Sequence, residues 1–351
     1  MLSVTETARR YIALARAVLR ARRAAYDPFK LTWILTEACS QRCQTCNLWA
    51  TDPHSGPDLP TIEKILEANP HITWLNLSGG DMVERSDAPD IMEAVTSRLP
   101  NLALLDFPTA GQDAEATLAA LAPALDSAVP RIYVTVSLDG PDDVHDAVRR
   151  SRGSAARARA TLRKLQGIRR KGFSAVAGMT LSRHNVPEQL PVDPRSLLPH
   201  QLPLDSIHLN LAHHSSHYYR NLSDVSPPVE STRALIDAVG SGRKNRFSPL
   251  AFMESRYWSI AKKYLHDGDV GGRCGALRAS VYLAADLTVY PCSIFDRPLG
   301  NLADVGYSLR RIDTLKEAGP ALTEVDARSC PGCWSPCEAF PTLLVGLGNP
   351  L

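Results

Sequence analysis

The chain has almost no net charge, no apolar run long enough to cross a bilayer, and no cleavable signal, internal repeat or low-complexity tract. A formal net charge of +2 with 22% charged residues leaves no broad basic field, so composition gives nucleic-acid binding no support. Without a span of about 20 apolar residues there is no transmembrane helix. Without a signal peptide, the eight cysteines are expected to ligate metal in a reducing cytoplasm rather than to form disulfides. The 351 residues, 44% of them hydrophobic, can bury a full core and suit one large domain with an appendage.

What the chain does have is concentrated in those cysteines. Cys39, Cys43 and Cys46 stand at Cys-x3-Cys-x2-Cys spacing. Three thiolates this close can cap three corners of a 4Fe-4S cube and leave the fourth iron without a protein ligand, open to chemistry. A zinc site would want a fourth donor nearby, and the next cysteine along the chain is Cys274.

Periodicity places this motif. Residues 5–26 read as a helix with Tyr11, Ile12, Leu14, Val18 and Leu19 at helical spacing and Arg9, Arg16, Arg20 and Arg23 around them, ended by Asp27 and Pro28. Such a helix suits packing on the outside of a domain, or peripheral contact with an anionic membrane surface. Residues 29–35 form a β-rich run that delivers the chain to the cysteine loop, where active-site loops of a parallel barrel belong. Strand-like runs at 72–77, 102–106, 131–138, 175–181 and 206–211 alternate with helical segments such as 61–68, 114–125 and 155–171. That alternation argues for a parallel β/α sheet or barrel.

With this context the cysteine motif resembles that of the radical S-adenosylmethionine (radical SAM) superfamily. The resemblance implies an α/β fold, a partial (β/α)6 TIM-like barrel. It also implies an open iron chelated by SAM, and reductive cleavage to a 5'-deoxyadenosyl radical that removes a substrate hydrogen. Ser78, Gly79, Gly80 and Asp81 are similar to the family's Gly-Gly-Glu segment for the SAM ammonium, with glycine there allowing close approach to the ligand. Thr109 resembles the start of a Thr-Asn-Gly turn. Ser137, Asp139 and Arg149 look like the Ser-x-Asp-Gly strand end with its downstream arginine, and Asn185 closes the fifth strand as a further SAM contact. Thr45 departs from the aromatic residue usual before the third cysteine, a place Trp49 can fill.

Cys274, Cys292, Cys330, Cys333 and Cys337 form a second group, with a β-hairpin expected between Cys274 and Cys292. This resembles the small C-terminal α+β twitch or SPASM extension that holds auxiliary 4Fe-4S clusters, and the cysteine number suits one such cluster. Cys274, Cys292, Cys330 and Cys333 match the twitch pattern of an aminocyclitol-oxidising dehydrogenase. Cys337 is left as an alternative ligand or a hydrogen donor, and a zinc ribbon is the competing assignment for the group. Leu287 stands where the family hairpin has glycine, so a rearranged turn is expected. The domains are then residues 1–28, a basic amphipathic helix; 29–250, the barrel; and 251–351, the auxiliary cluster domain.

His213, His214 and His217 follow the sixth strand as candidate substrate-contacting or acid/base groups. Peptide-modifying relatives often carry a leader-binding domain before the barrel, and the segment ahead of residue 29 is too short for one. The expected reaction is therefore oxidation or epimerisation of a small sugar, cyclitol or lipid-linked molecule, with a peptide substrate as the alternative and a flavodoxin- or ferredoxin-type protein as reductant. An iron-sulfur electron carrier or sensor is the non-enzymatic alternative.

Overall fold

A computed structural model describes residues 4–50, 54–221, 223–244 and 249–346. Residues 1–3 and 347–351, the outer ends of the expected N- and C-terminal segments, lie outside the described residues. Helix α1 (Val4–Ala21) precedes strand β1 (Lys30–Ile34). There follow α2 (Leu59–Ala68), β2 (Trp74–Ser78), α3 (Ala88–Arg98), β3 (Leu104–Thr109), α4 (Ala114–Asp126) and β4 (Arg131–Ser137). Two helices, α5 (Asp142–Arg149) and α6 (Ser154–Gln166), lead to β5 (Phe173–Leu181) and β6 (Ile207–Leu211). The remainder holds α7 (Val229–Gly242), α8 (Pro249–Asp267), β7 (Ser280–Leu283), β8 (Thr288–Tyr290), β9 (Gly300–Asn301), α9 (Ala318–Asp326) and α10 (Pro336–Gly346).

Strands β1 to β6 are parallel neighbours in sequence order, and the sheet does not close on itself. This is the expected partial barrel. All of β1 is buried, as parallel strands covered on both faces require. The outer face packs on helices through a core that includes Trp33, Leu77, Phe107, Val134 and Met179. Parallel pairing brings the C-terminal ends of β1 to β6 to one side, so Ser78, Thr109, Ser137 and Thr180 gather at a common rim.

The C-terminal hairpin joins the same sheet. β7 pairs in parallel with β1, β8 returns antiparallel to β7, and β9 completes the edge. Its turn keeps ordinary pairing, Ala284 N–H donating to Thr288 O and Leu287 N–H to Ala284 O. The substituted position is accommodated instead by Leu287 itself, which takes a left-handed φ of 68° and packs its side chain on the core. Burial of that side chain offsets a backbone conformation that glycine adopts freely.

Helix α1 ends at Ala21, short of the expected residue 26. Tyr26 takes a φ of 61°, donates its N–H to Leu277 O at 2.6 Å and its hydroxyl to Ala318 O at 2.8 Å. Tertiary anchoring there outweighs the local helical preference. Among the described residues no helix is long and apolar enough to cross a membrane.

Candidate active site

The rim of the barrel encloses a cleft lined by Cys39, Cys43 and Cys46 on one wall and by Ser78, Gly79, Gly80, Thr109, Ser137, Thr180 and Arg149 on the others. Residues from four strand ends and the first cysteine loop thus meet in one place. The two glycines are required by the crossing of that loop over the end of β2. A Cβ on Gly79 would sit 2.3 Å from Thr36 O, and one on Gly80 would sit 2.0 Å from Ala38 O. Gly80 N–H donates to Thr36 O at 2.8 Å, which ties the cysteine loop to the strand end. Close approach to the chain's own backbone, more than to a ligand, demands glycine here.

Asp81 turns inward from this rim. Its Oδ2 accepts from Thr109 Oγ1 at 2.9 Å and from Ala110 N–H at 2.7 Å, so it braces β2 to β3. Burial raises its pKa to about 6, opposed by those hydrogen bonds. Asp139 and Asn185 also lie behind the wall rather than in it. Asp139 accepts from Arg149 Nε at 2.6 Å and from Thr180 N–H at 3.1 Å, while Asn185 Nδ2 donates to Asp139 O at 3.0 Å and to Thr180 O at 2.9 Å. The carboxylate aims Arg149, whose Nη1 lies 3.5 Å from Cys43 Sγ. Burial alone would depress the Arg149 pKa, but Asp139 and the Cys43 and Cys39 sulfurs raise it overall. An Asp139→Asn protein leaves this arginine charged without its partner, and urea denaturation is expected to show a loss of about 3–5 kcal/mol.

The three histidines separate. His214 is exposed. His217 stacks on Tyr290 at 4.2 Å, and its Nε2 lies 3.0 Å from Cys292 O, so it belongs to the C-terminal hairpin. His213 lines the cleft, is 7% exposed, and leaves Nε2 without a hydrogen-bond partner among the described residues. Burial lowers its pKa to about 4, against a bond to the Trp334 backbone that raises it. The ring is therefore neutral at physiological pH.

Sequence reasoning passed over Tyr218 and Tyr219, which line the same cleft with Trp49 and Gln41. Tyr218 Oη is 2.9 Å from Ser78 Oγ, and Trp49 Nε1 donates to Cys46 O at 2.7 Å. The two tyrosines directly follow the histidines, and their place at a strand end was the available signal.

The second cysteine group divides. Cys274, Cys330 and Cys333 pack around buried Cys292, together with Phe295 and Tyr219. Cys337 stands elsewhere, its carbonyl accepting from Lys30 Nζ. Cys39 accepts at Sγ from the N–H of Gln41, Cys46 from Leu48, Cys274 from Ala276, Cys292 from Ile294 and Cys333 from Ser335, each two residues on. Cys337 Sγ receives the Ser335 hydroxyl. N–H groups aimed at sulfur favour a thiolate bound to metal. In the apo chain, burial pushes the thiols of Cys39 and Cys274 up to about 12 and that of Cys46 to about 11. Cationic iron would offset that desolvation. Among the described residues no three Cys, His, Asp or Glu side chains converge as they do around a single ion. A cube presents separate irons to separate thiolates and needs no such convergence, so both cysteine groups fit a cluster.

No family model matches the chain. Mycofactocin maturase MftC from Mycobacterium ulcerans (strain Agy99) is 32% identical over 165 residues, which is 45% of this chain and 42% of that protein. The chain thus spans less than half the length of the curated relative it matches. Native anSMEcpe with bound S-adenosylmethionine superposes with a TM-score of 0.58 at 12% identity, covering 91% of this chain and 97% of the other. Streptococcus suis SuiB bound to the precursor peptide SuiA gives 0.53 at 11% identity, covering 94% and 74%. At these identities the structural likeness is one of fold. anSMEcpe has also been solved with the Cp18Cys peptide.

Proposed function

We propose that the chain is a radical SAM enzyme, one that cleaves S-adenosylmethionine reductively and uses the resulting radical to modify a peptide. The small-molecule substrate expected from the sequence gives way here to its alternative. A maturase and two proteins solved with peptides support the peptide reading. The observation that carries the proposal is the meeting of Cys39, Cys43 and Cys46 with Ser78, Gly79, Gly80, Thr109, Ser137 and Arg149 around one cleft.

A 4Fe-4S cluster held by those three cysteines would supply the electron that splits SAM into methionine and a 5'-deoxyadenosyl radical. The chain's own part is placement. Arg149, fixed by Asp139, offers a guanidinium to a carboxylate in the cleft. Ser78 and Tyr218 offer hydroxyls. Cys274, Cys292, Cys330 and Cys333 would hold one auxiliary cluster as an electron acceptor, and a flavodoxin- or ferredoxin-type protein in a reducing cytoplasm would provide the first electron. Cys337 is not among the residues lining the cleft, so oxidation of the peptide is better supported than epimerisation through that thiol.

Two measurements test this reading. Reduced, cluster-loaded enzyme is to be given the peptide and the small-molecule fractions of its own cell extract, with 5'-deoxyadenosine followed over time. Stimulation by peptides supports the proposal, and stimulation confined to small molecules restores the other substrate class. In the same assay His213→Ala is expected to raise KM about tenfold, the worth of one hydrogen bond of about 1.4 kcal/mol. Because the ring is already neutral, the pH profile between pH 6 and 8 is to stay unchanged. Loss of a limb in that range would assign proton transfer to the imidazole instead.

A further inference from the structure

We propose that the outward face of α1 docks the protein on an anionic lipid surface. Among the described residues Val4 is 85% exposed, Tyr11 44%, Ile12 51% and Leu19 53%. These four large apolar side chains fall on one stripe of a single helix. The opposite stripe is fully used by the fold. Ala17 and Ala21 are buried with Phe29, Trp74 and Ala279, and Arg10 donates from Nη1 to Leu99 O at 3.3 Å and to Leu102 O at 2.9 Å. The helix therefore carries two apolar faces, and the fold covers one.

Charge decides what covers the other. At about 100° per residue, Arg16 lies immediately beside Ile12 on the wheel, and Arg23 stands in the turn just past the end of the helix; both are exposed. The nearby carboxylates are engaged: Glu6 pairs with Arg9 and Arg10, and Asp27 pairs with Arg20 and Arg310. An apolar stripe with an arginine border suits lipid, where the side chains enter the acyl boundary and guanidiniums meet phosphate oxygens. A second copy of the chain fits less well. An antiparallel α1 pair would set two arginine rows against each other, and four side chains fall short of the roughly 800 Å² per partner typical of a stable interface.

The test uses the full chain, sedimented with vesicles of phosphatidylcholine alone or of about two parts phosphatidylcholine to one part phosphatidylglycerol. The protein is expected to sediment with the anionic vesicles only, and to be released by salt. Arg16→Gln with Arg23→Gln is expected to weaken binding roughly 30-fold, at about 1 kcal/mol per arginine near the surface. Leu19→Asp is expected to abolish it with an unchanged circular dichroism spectrum and melting point, since the position is exposed. Equal binding to neutral vesicles, or none to either, would overturn the proposal. So would a concentration-dependent dimer that Leu19→Asp dissolves, which would assign the stripe to a second copy.

Discussion

A Cys43→Ala protein, reconstituted anaerobically with iron and sulfide, is expected to form 5'-deoxyadenosine at least about 10³-fold more slowly than the unmodified chain. Cys43 is buried on the cleft wall, and the Arg149 guanidinium approaches its sulfur at 3.5 Å. Removing that sulfur takes one of three anchors from the cube and leaves the remaining two unable to define an open fourth corner. Iron content should fall by about four per chain while the auxiliary group keeps its own. If cleavage of SAM survived with iron unchanged, Cys43 would not be a ligand, and the three-cysteine assignment would have to be redrawn.

The second large effect concerns the C-terminal cysteines. Cys274→Ser or Cys333→Ser is expected to lower iron from about eight to about four per chain. Cleavage of SAM in the absence of peptide should persist, because the cleft cysteines are untouched. Peptide product should fall by at least about 100-fold, because the electron left after hydrogen abstraction has no acceptor. Cys337→Ser, by contrast, should keep about eight irons. The distinction rests on packing, since Cys274, Cys292, Cys330 and Cys333 share one cluster of side chains while Cys337 lies by Lys30. A loss of iron in Cys337→Ser would place Cys337 in the ligand set and displace one of the other four.

How much of this was legible in the sequence depended on the range of the interaction. Strand positions could be read closely because β1 and β4 are rich in β-branched and aromatic residues, with Ile132, Val134 and Val136 alternating as the buried face of β4. The cysteine loop, the Ser78 to Gly80 turn and the Ser137 strand end follow directly from those positions. Side-chain direction does not follow from them. Asp81 and Asn185 sit at the expected strand ends, yet both turn away from the cleft to satisfy buried backbone and hydroxyl groups of neighbouring strands. His213, His214 and His217 are adjacent in sequence, but the loop carrying them sends one to the cleft, one to solvent and one to the hairpin. The parallel pairing of β7 with β1 joins residues far apart in the chain, and no local pattern announces it. Substrate class was the least legible feature of all, because the fold sets the radical chemistry and leaves what enters the cleft to loops.

The central claim is that one iron at the cleft lacks a protein ligand and binds SAM. Its most direct test is the electron paramagnetic resonance spectrum of the reduced, reconstituted protein before and after SAM is added, with 5'-deoxyadenosine assayed in the same tube. A shifted cluster signal accompanied by 5'-deoxyadenosine is the result expected. An unchanged spectrum with no product would mean that every iron is already fully ligated, and that the protein carries electrons rather than making radicals.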